Sequence, residues 1–463
     1  MRTVARRGGS GVSRDVRPSA RRSIKRRLAV CGVAALATVG ACSSEGPEGG
    51  GGGDIPANSM EYVVFAWNDL GMHCLNPTYD EAVILPPYNT VWAQVIKRGN
   101  PPEIVTAGLT VEYRIVDNTY SYGKTDAHGG DFARFWDNAQ ALFGVSLAHD
   151  KGLNLEDPGI SNGLSGTMVL KGDHFQVNGI PVVPVNDAGV WNPYQVMEIT
   201  VRQNGTAIAQ TRATVPTSDE IDCARCHGAA DPFGDILTKH DQLHATTLVA
   251  DKPVLCANGV CHTSPALGQA GEGTDGYLSQ VIHAAHADRN AACMDCHPGA
   301  VTQCSRSIDH TAADGNCTTC HGSMQQVASS IENGQRVPWV DEPTCSSSTC
   351  HAGVTEVGSQ ANLYRNTTGH HGVYCTACHD SPHAMYPSRE ASDNYQPLQY
   401  QDADLTIGSC GVCHSSSRGE GAGGDFVETH GGTGGRPNAC RVCHTVVNAN
   451  TADWPHAYTW KSR

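Results

Sequence analysis

Aromatic residues are scarce in this chain, 6% of 463 residues, and apolar residues reach only 39%. That length allows two or three domains, yet the apolar content is lean for two conventional cores. Long apolar runs are also missing. The stretch from Leu28 to Thr38 falls well short of the roughly 20 residues that a membrane-spanning helix needs. Positive charge is concentrated at one end: residues 1–41 hold ten of the 32 Lys and Arg and one of the 46 acidic residues. Without that leader the chain carries −23, a field that repels nucleic acid and anionic lipid and favours basic partners or cations. No nucleic-acid role is expected.

Cysteine is nearly absent from residues 60–215, where Cys74 stands alone, and abundant after residue 217. There, six copies of Cys-x-x-Cys-His occur: Cys223-Cys226-His227, Cys293-Cys296-His297, Cys317-Cys320-His321, Cys375-Cys378-His379, Cys410-Cys413-His414 and Cys440-Cys443-His444. Two more are stretched by two residues, Cys256-Cys261-His262 and Cys345-Cys350-His351. Random placement of 20 Cys and 22 His gives about 0.04 standard copies, so chance is excluded. The pattern reads as c-type haem attachment: two thiols add to the vinyl groups of one porphyrin edge, and the next residue brings its imidazole to the iron. Zinc sites and disulfide frameworks also use paired cysteines, but neither requires the trailing histidine. The stretched form resembles that of tetrahaem class III cytochromes. Motifs begin 24 to 37 residues apart, too close for each segment to build its own apolar core. Haem is expected to supply the missing core, and the segment without it to be largely unfolded.

The N-terminal segment, basic and then apolar, has the layout of an export signal. It ends in Val39-Gly40-Ala41-Cys42, which resembles a bacterial lipoprotein box and makes Cys42 a lipid anchor. The alternatives are a plain cleaved signal or a short membrane helix. Arg21-Arg22 is similar to a twin-arginine signal, although export before haem attachment fits the general secretory route better. Residues 42–58, with five glycines at 49–53, read as a flexible tether. By resemblance to Gram-negative lipoproteins, Ser43 rather than aspartate implies sorting to the outer membrane, facing the periplasm or the cell surface.

Residues 59–216 are expected to form a mainly β domain, an antiparallel sandwich with one helix. The β-branched stretches at 61–67, 90–96, 109–116, 167–170, 195–201 and 206–213 predict strands. Asn178-Gly179 and Asn204-Gly205 predict hairpin turns. Phe132, Phe135, Trp136, Ala139, Leu142 and Phe143 recur at helical spacing, with Asp131 placed to cap and Gly144 to stop the helix. This stripe is read as core before haem packing. Val215-Pro216 is expected to end the last strand, and Thr217-Ser218-Asp219-Glu220 to form a capping box before a helix entering Cys223. Residues 217–463 are expected to be a multihaem domain of short helices and loops.

Eight proximal iron ligands follow from the motifs: His227, His262, His297, His321, His351, His379, His414 and His444. Ten further histidines are candidates for the opposite positions: His240, His244, His283, His286, His310, His370, His371, His383, His430 and His456. On helices His240 and His244, and likewise His283 and His286, share a face and can serve neighbouring haems. The surplus argues for bis-histidine ligation throughout, with two candidates spare. Met324 and Met385 are read as packing residues rather than ligands. Trp67-Asn68-Asp69-Leu70-Gly71-Met72-His73-Cys74 gathers a carboxylate, an imidazole and a thiol, either as a metal-binding or docking module or as a packed strand. Cys74 and Cys304 lie outside every motif; a bridge between them, free thiols or a metal site remain open.

These residues resemble multihaem, octahaem c-type cytochromes, in particular outer-surface lipoprotein cytochromes of metal-respiring bacteria. The resemblance covers residues 217–456, with Ile282-His283-Ala284-Ala285-His286 and Ser381-Pro382-His383 as distal-ligand segments. It implies eight covalent haems passing electrons to other cytochromes or redox proteins, a mineral or a soluble acceptor, with a filament or other oligomer open. The competing class is an octahaem oxidoreductase acting on a small nitrogen or sulfur compound, but a Cys-x-x-Cys-Lys active-haem variant is absent.

Overall fold

The computed structural model describes residues 61–99, 101–298, 301–311, 317–343, 345 and 363–414. Cys42 and the leader, the tether, Cys350, His351, His430, the Cys440–His444 motif and His456 lie outside them. The first eleven strands are β1 (Tyr62–Asn68), β2 (His73–Cys74), β3 (Ala82–Val83), β4 (Val91–Lys97), β5 (Glu103–Ile104), β6 (Thr110–Ile115), β7 (Ser165–Thr167), β8 (Val169–Lys171), β9 (His174–Val177), β10 (Tyr194–Gln203) and β11 (Thr206–Ser218). Ten of them form two mainly antiparallel sheets, ordered β1-β4-β9-β8 with β5 beside β4, and β2-β11-β10-β6-β7, while β3 pairs in parallel with Val254 and Leu255. Alternate residues Tyr62, Val64 and Ala66 of β1 meet Val111 and Ile115 of β6 and Met197 and Ile199 of β10 in one core. The β-rich N-terminal region expected from the β-branched stretches is present.

Helix α1 (Ala133–Phe143) buries Phe135, Trp136, Ala139 and Leu142 against Leu75, Tyr79 and Val183. Gly144 ends it at φ 72°, its N–H donating to the Gln140 carbonyl. Asp131 does not cap it: Phe132 holds the N-cap position, with no side-chain cap. Asn204-Gly205 makes the β10–β11 hairpin with both residues at positive φ. Asn178-Gly179 does not make one, because no strand follows until Tyr194; instead Gly179 packs on the Leu153 backbone so closely that a Cβ would overlap it. The capping box is also absent. β11 runs past Pro216 to Ser218, pairing in parallel with β2 at Thr217 and Ser218, so those residues are strand.

Beyond Ser218 the described strands are only two residues long: β12 (Val254–Leu255), β13 (Thr368–Gly369) and β14 (Val373–Tyr374). The helices are α2 (Pro232–His244), α3 (Leu278–His286), α4 (Ile308–Thr311), α5 (Cys317–His321), α6 (Met324–Glu332), α7 (Cys375–His379) and α8 (Tyr395–Gln401). None of the described helices is long and apolar enough to cross a membrane.

β1 is buried on both faces. Its outward residues Val63, Phe65 and Trp67 pack on Tyr374, Tyr400, Ile407 and Val412. Its free edge is closed by side chains from α8: Tyr400 Oη donates to the Val64 carbonyl at 2.7 Å and accepts from Val64 N–H at 3.3 Å, while the Gln396 amide bonds both backbone groups of Ala66. An edge strand so covered offers no ladder to another chain. Tyr400→Phe leaves both Val64 groups buried without partners, and chemical denaturation should show a loss of about 1–3 kcal/mol.

Candidate histidine and cysteine site

Each described standard motif is one helical turn, which puts the cysteines on one side and the histidine above the first of them. His227 N–H donates to the Cys223 carbonyl and His297 N–H to that of Cys293, both at 2.9 Å. The stretched copy at Cys256 takes up its two extra residues differently. Gly259 turns at φ 80°, and Asn258 Oδ1 accepts from the N–H groups of Val260 and Cys261, both at 2.9 Å.

Burial raises several thiols of these motifs, Cys223 and Cys378 to about 12 and Cys256 to about 11. Among the described residues, the one grouping of three or more Cys, His, Asp or Glu donor atoms within 4.8 Å of each other is Asp126, His128 and Asp219. The two thiols and imidazole of each fully described motif therefore do not converge as a tetrahedral zinc site requires.

The motif histidines instead face other histidines. Ring centroids are 6.3 Å apart for His227–His286, 6.5 Å for His262–His240, 6.0 Å for His297–His283, 6.2 Å for His321–His383 and 6.2 Å for His414–His370. Two imidazoles bonded to one metal at about 2.0–2.1 Å, each nitrogen about 1.1 Å from its ring centre, give centroids about 6.3 Å apart. The separation fits one iron between each pair, and each pair joins one motif histidine to one distal candidate. In four of the pairs the far nitrogen of one or both rings is held by an acceptor. His283 Nδ1 bonds the Ser279 carbonyl at 2.6 Å, His286 Nδ1 that of Ile282 at 2.8 Å and His383 Nδ1 that of Leu70 at 2.9 Å. His262 Nδ1 meets the Asp275 carbonyl and His227 Nδ1 the Asp235 carboxylate, both at 3.1 Å, and His240 Nδ1 meets Thr246 Oγ1 at 2.9 Å. Such a bond fixes the tautomer and orients Nε2 as a ligand.

Burial lowers the pKa of His240, His283, His383 and His414 and brings His297 and His321 to about 4. A neutral imidazole is what a metal requires. Of the other candidates, His244 is exposed and lies 4.8 Å from His240, His371 lies 5.5 Å from His370, and His310 Nδ1 meets Ser307 Oγ at 3.1 Å.

The Trp67–Cys74 segment supports this site rather than gathering a ligand set of its own. Its Leu70 carbonyl accepts from His383, and Asp69 Oδ1 bonds His73 Nε2 at 2.7 Å, both buried. Cys74 and Cys304 are free thiols close enough that Cys304 raises the Cys74 pKa, burial being the larger cause. The motif pattern gave no sign of Arg306. Buried at 2% exposure, it pairs with Asp393 through Nε at 2.8 Å and Nη2 at 3.0 Å, and Nη1 donates to the Gly71 carbonyl at 2.6 Å. Its backbone N–H donates to the His383 carbonyl, so one residue holds both sides of the His383 turn.

No family model matches the chain, and no curated protein matches it. A solved structure, the crystal structure of MtrC from Shewanella baltica OS185, aligns at 13% identity over 59% of this chain and 45% of that one, with a TM-score of 0.12. The chain thus spans less than half the length of that protein, and a superposition at this score establishes no shared fold.

Arg306→Ala leaves the Asp393 carboxylate buried and unpaired, and equilibrium unfolding should show a loss of about 3–5 kcal/mol.

Proposed function

We propose that this chain is a multihaem c-type cytochrome that carries electrons in the cell envelope. The observation that supports it most is the set of five motif-to-distal histidine pairs at 6.0–6.5 Å. Haem supplies one-electron redox chemistry at potentials set by ligands, burial and hydrogen bonds. The eight cysteine pairs would tether eight such groups, the motif histidines would each hold one iron, and His286, His240, His283, His383 and His370 would hold five of those irons with them. Two histidines on an iron would favour outer-sphere transfer over turnover of a bound substrate.

Neighbouring sites are tied by shared elements. His283 and His286, three apart on α3, face the third and first motifs, which brings those two sites side by side. Cys223 lies within electrostatic reach of Cys296 and Cys256, and His321 within reach of His297 and His283. The path this supports runs from the second motif to the first, then the third and fourth, and then through the turn from His383 to His379. Cys42 lipidation would anchor this conduit to the outer membrane, where redox proteins, minerals or soluble acceptors exchange electrons with it.

Haem assay with intact mass should give eight covalent haems, and electron paramagnetic resonance of the oxidised protein should show low-spin iron only. The ring planes add a finer test. His283–His297 and His321–His383 are near parallel at 18°, whereas His240–His262 and His227–His286 cross at 86° and 68°. Parallel rings give rhombic low-spin signals and crossed rings strongly anisotropic ones, so both classes are expected. His240→Ala should convert one crossed site to high spin, while His244→Ala leaves the second motif's iron low-spin. A high-spin, ligand-binding iron in the unmutated protein would favour the oxidoreductase reading.

A further inference from the structure

Asp219 lies between the end of β11 and Cys223, 3% exposed, and facing it is the loop that carries Asp126 and His128. Asp219 Oδ1 accepts from Trp191 Nε1 at 3.1 Å, but its Oδ2 is buried with no hydrogen-bond partner. Asp126 is arranged the same way. Its Oδ1 accepts the N–H groups of His128 at 2.9 Å and Gly130 at 2.8 Å, and its Oδ2 is buried without a partner. Neither carboxylate belongs to a haem motif or to a histidine pair.

Two carboxylate oxygens turned towards each other with no donor between them repel, and burial removes the water that would screen them. Either a proton or a cation must stand there. The third group decides between them: His128 Nδ1 lies 3.8 Å from Asp219 Oδ1, and one donor atom from each of the three residues lies within 4.8 Å of the others. The His128 ring is set edge-on against Trp191 at 4.8 Å, which fixes the side from which it approaches. A shared proton would satisfy the two carboxylates alone, whereas a metal would also take up this imidazole as a third donor.

We propose that Asp126, His128 and Asp219 bind one divalent transition-metal ion of the zinc class. Calcium and magnesium take six to eight or six oxygen ligands respectively, so a mixed set of two carboxylates and an imidazole selects against them. Metal–donor bonds of about 2.0–2.2 Å put ligand atoms roughly 3.3–3.6 Å apart, a little closer than His128 Nδ1 and Asp219 Oδ1 at 3.8 Å. The ion joins the 125–131 loop to the segment entering the first haem motif, and thereby braces the junction between the sandwich and the cysteine-rich region. This site stands whatever the motif cysteines carry.

The test is zinc uptake by the full-length, haem-loaded protein after chelator treatment, read by calorimetry and by metal analysis, which separates zinc from haem iron. The unmutated protein should take up one zinc that Asp219→Asn does not, and His128→Ala should weaken that event more than the roughly 10–100-fold lost with an outer-shell partner. The exposed His128 ring makes its variant safe for folding, and an unchanged haem spectrum confirms this for Asp219→Asn. Equal zinc uptake by the unmutated protein and both variants would overturn the proposal. So would uptake of calcium but not zinc, or no metal uptake together with a carboxylic proton that Asp219→Asn removes, which would make the pair proton-linked.

Discussion

The pairing of facing imidazoles, ring centres about 6 Å apart, is the constraint around which the described residues after Ser218 are arranged. Their separation recurs in five pairs, and the outer nitrogens are held by main-chain carbonyls, a carboxylate and a hydroxyl. Those bonds orient the rings towards the gap and cost the helix little, since Ser279 and Ile282 are the residues one turn before His283 and His286. The scarcity of aromatic and aliphatic side chains accords with the proposed haems, which would fill the space of a conventional core.

The sandwich serves this arrangement as a rigid wall. β1 is the strand in which the two halves of the chain become one structure: one face completes the apolar core between the sheets, and the other packs on Tyr374, Tyr400 and Val412 of the cysteine-rich region. The turn after β1 continues the role. Asn68 Oδ1 accepts from the Gly71 N–H at 2.7 Å, Gly71 adopts φ 83° with Ser381 against it, Leu70 presents its carbonyl to His383, and Arg306 clamps the Gly71 carbonyl. Ring position at His383 is thus set by residues more than 300 positions away in sequence. If His383 ligates iron as proposed, packed strands and a buried ion pair would hold its geometry through oxidation and reduction.

The legibility of these features depends on the range of the interactions that make them. The attachment motifs are local, as are α1 and the Asn204-Gly205 hairpin, and all could be read from adjacent residues. Asn178-Gly179 misled because a turn signal carries no information about the chain beyond the turn: residues up to Tyr194 run without a strand, and Gly179 is needed for its approach to Leu153. Thr217 and Ser218 carried a helix-start signal that tertiary pairing with β2 overrode. The distal ligands could be nominated but not paired, since partners such as His321 and His383 are 62 residues apart and only the fold decides between candidates. Arg306 and the Leu70 carbonyl left no trace, because one looks like an ordinary surface cation and the other is a backbone atom that any residue would carry.

The pairings also separate order in the chain from order in space. If each motif took its far ligand from its own segment, neighbouring sites would be coupled only through loops and the path would follow the sequence. α3 prevents this by lending His286 backwards to the first motif and His283 forwards to the third, and the short run from His379 to His383 links the sixth motif to the fourth. Each crossing fixes two sites on one rigid element, so their separation is set by helical rise or a tight turn rather than by tertiary packing. For the proposed electron transfer, which depends steeply on distance, these spacings would be the least free to vary. A chain poor in apolar residues has thus put its regular structure where spacing matters and left loops where it does not.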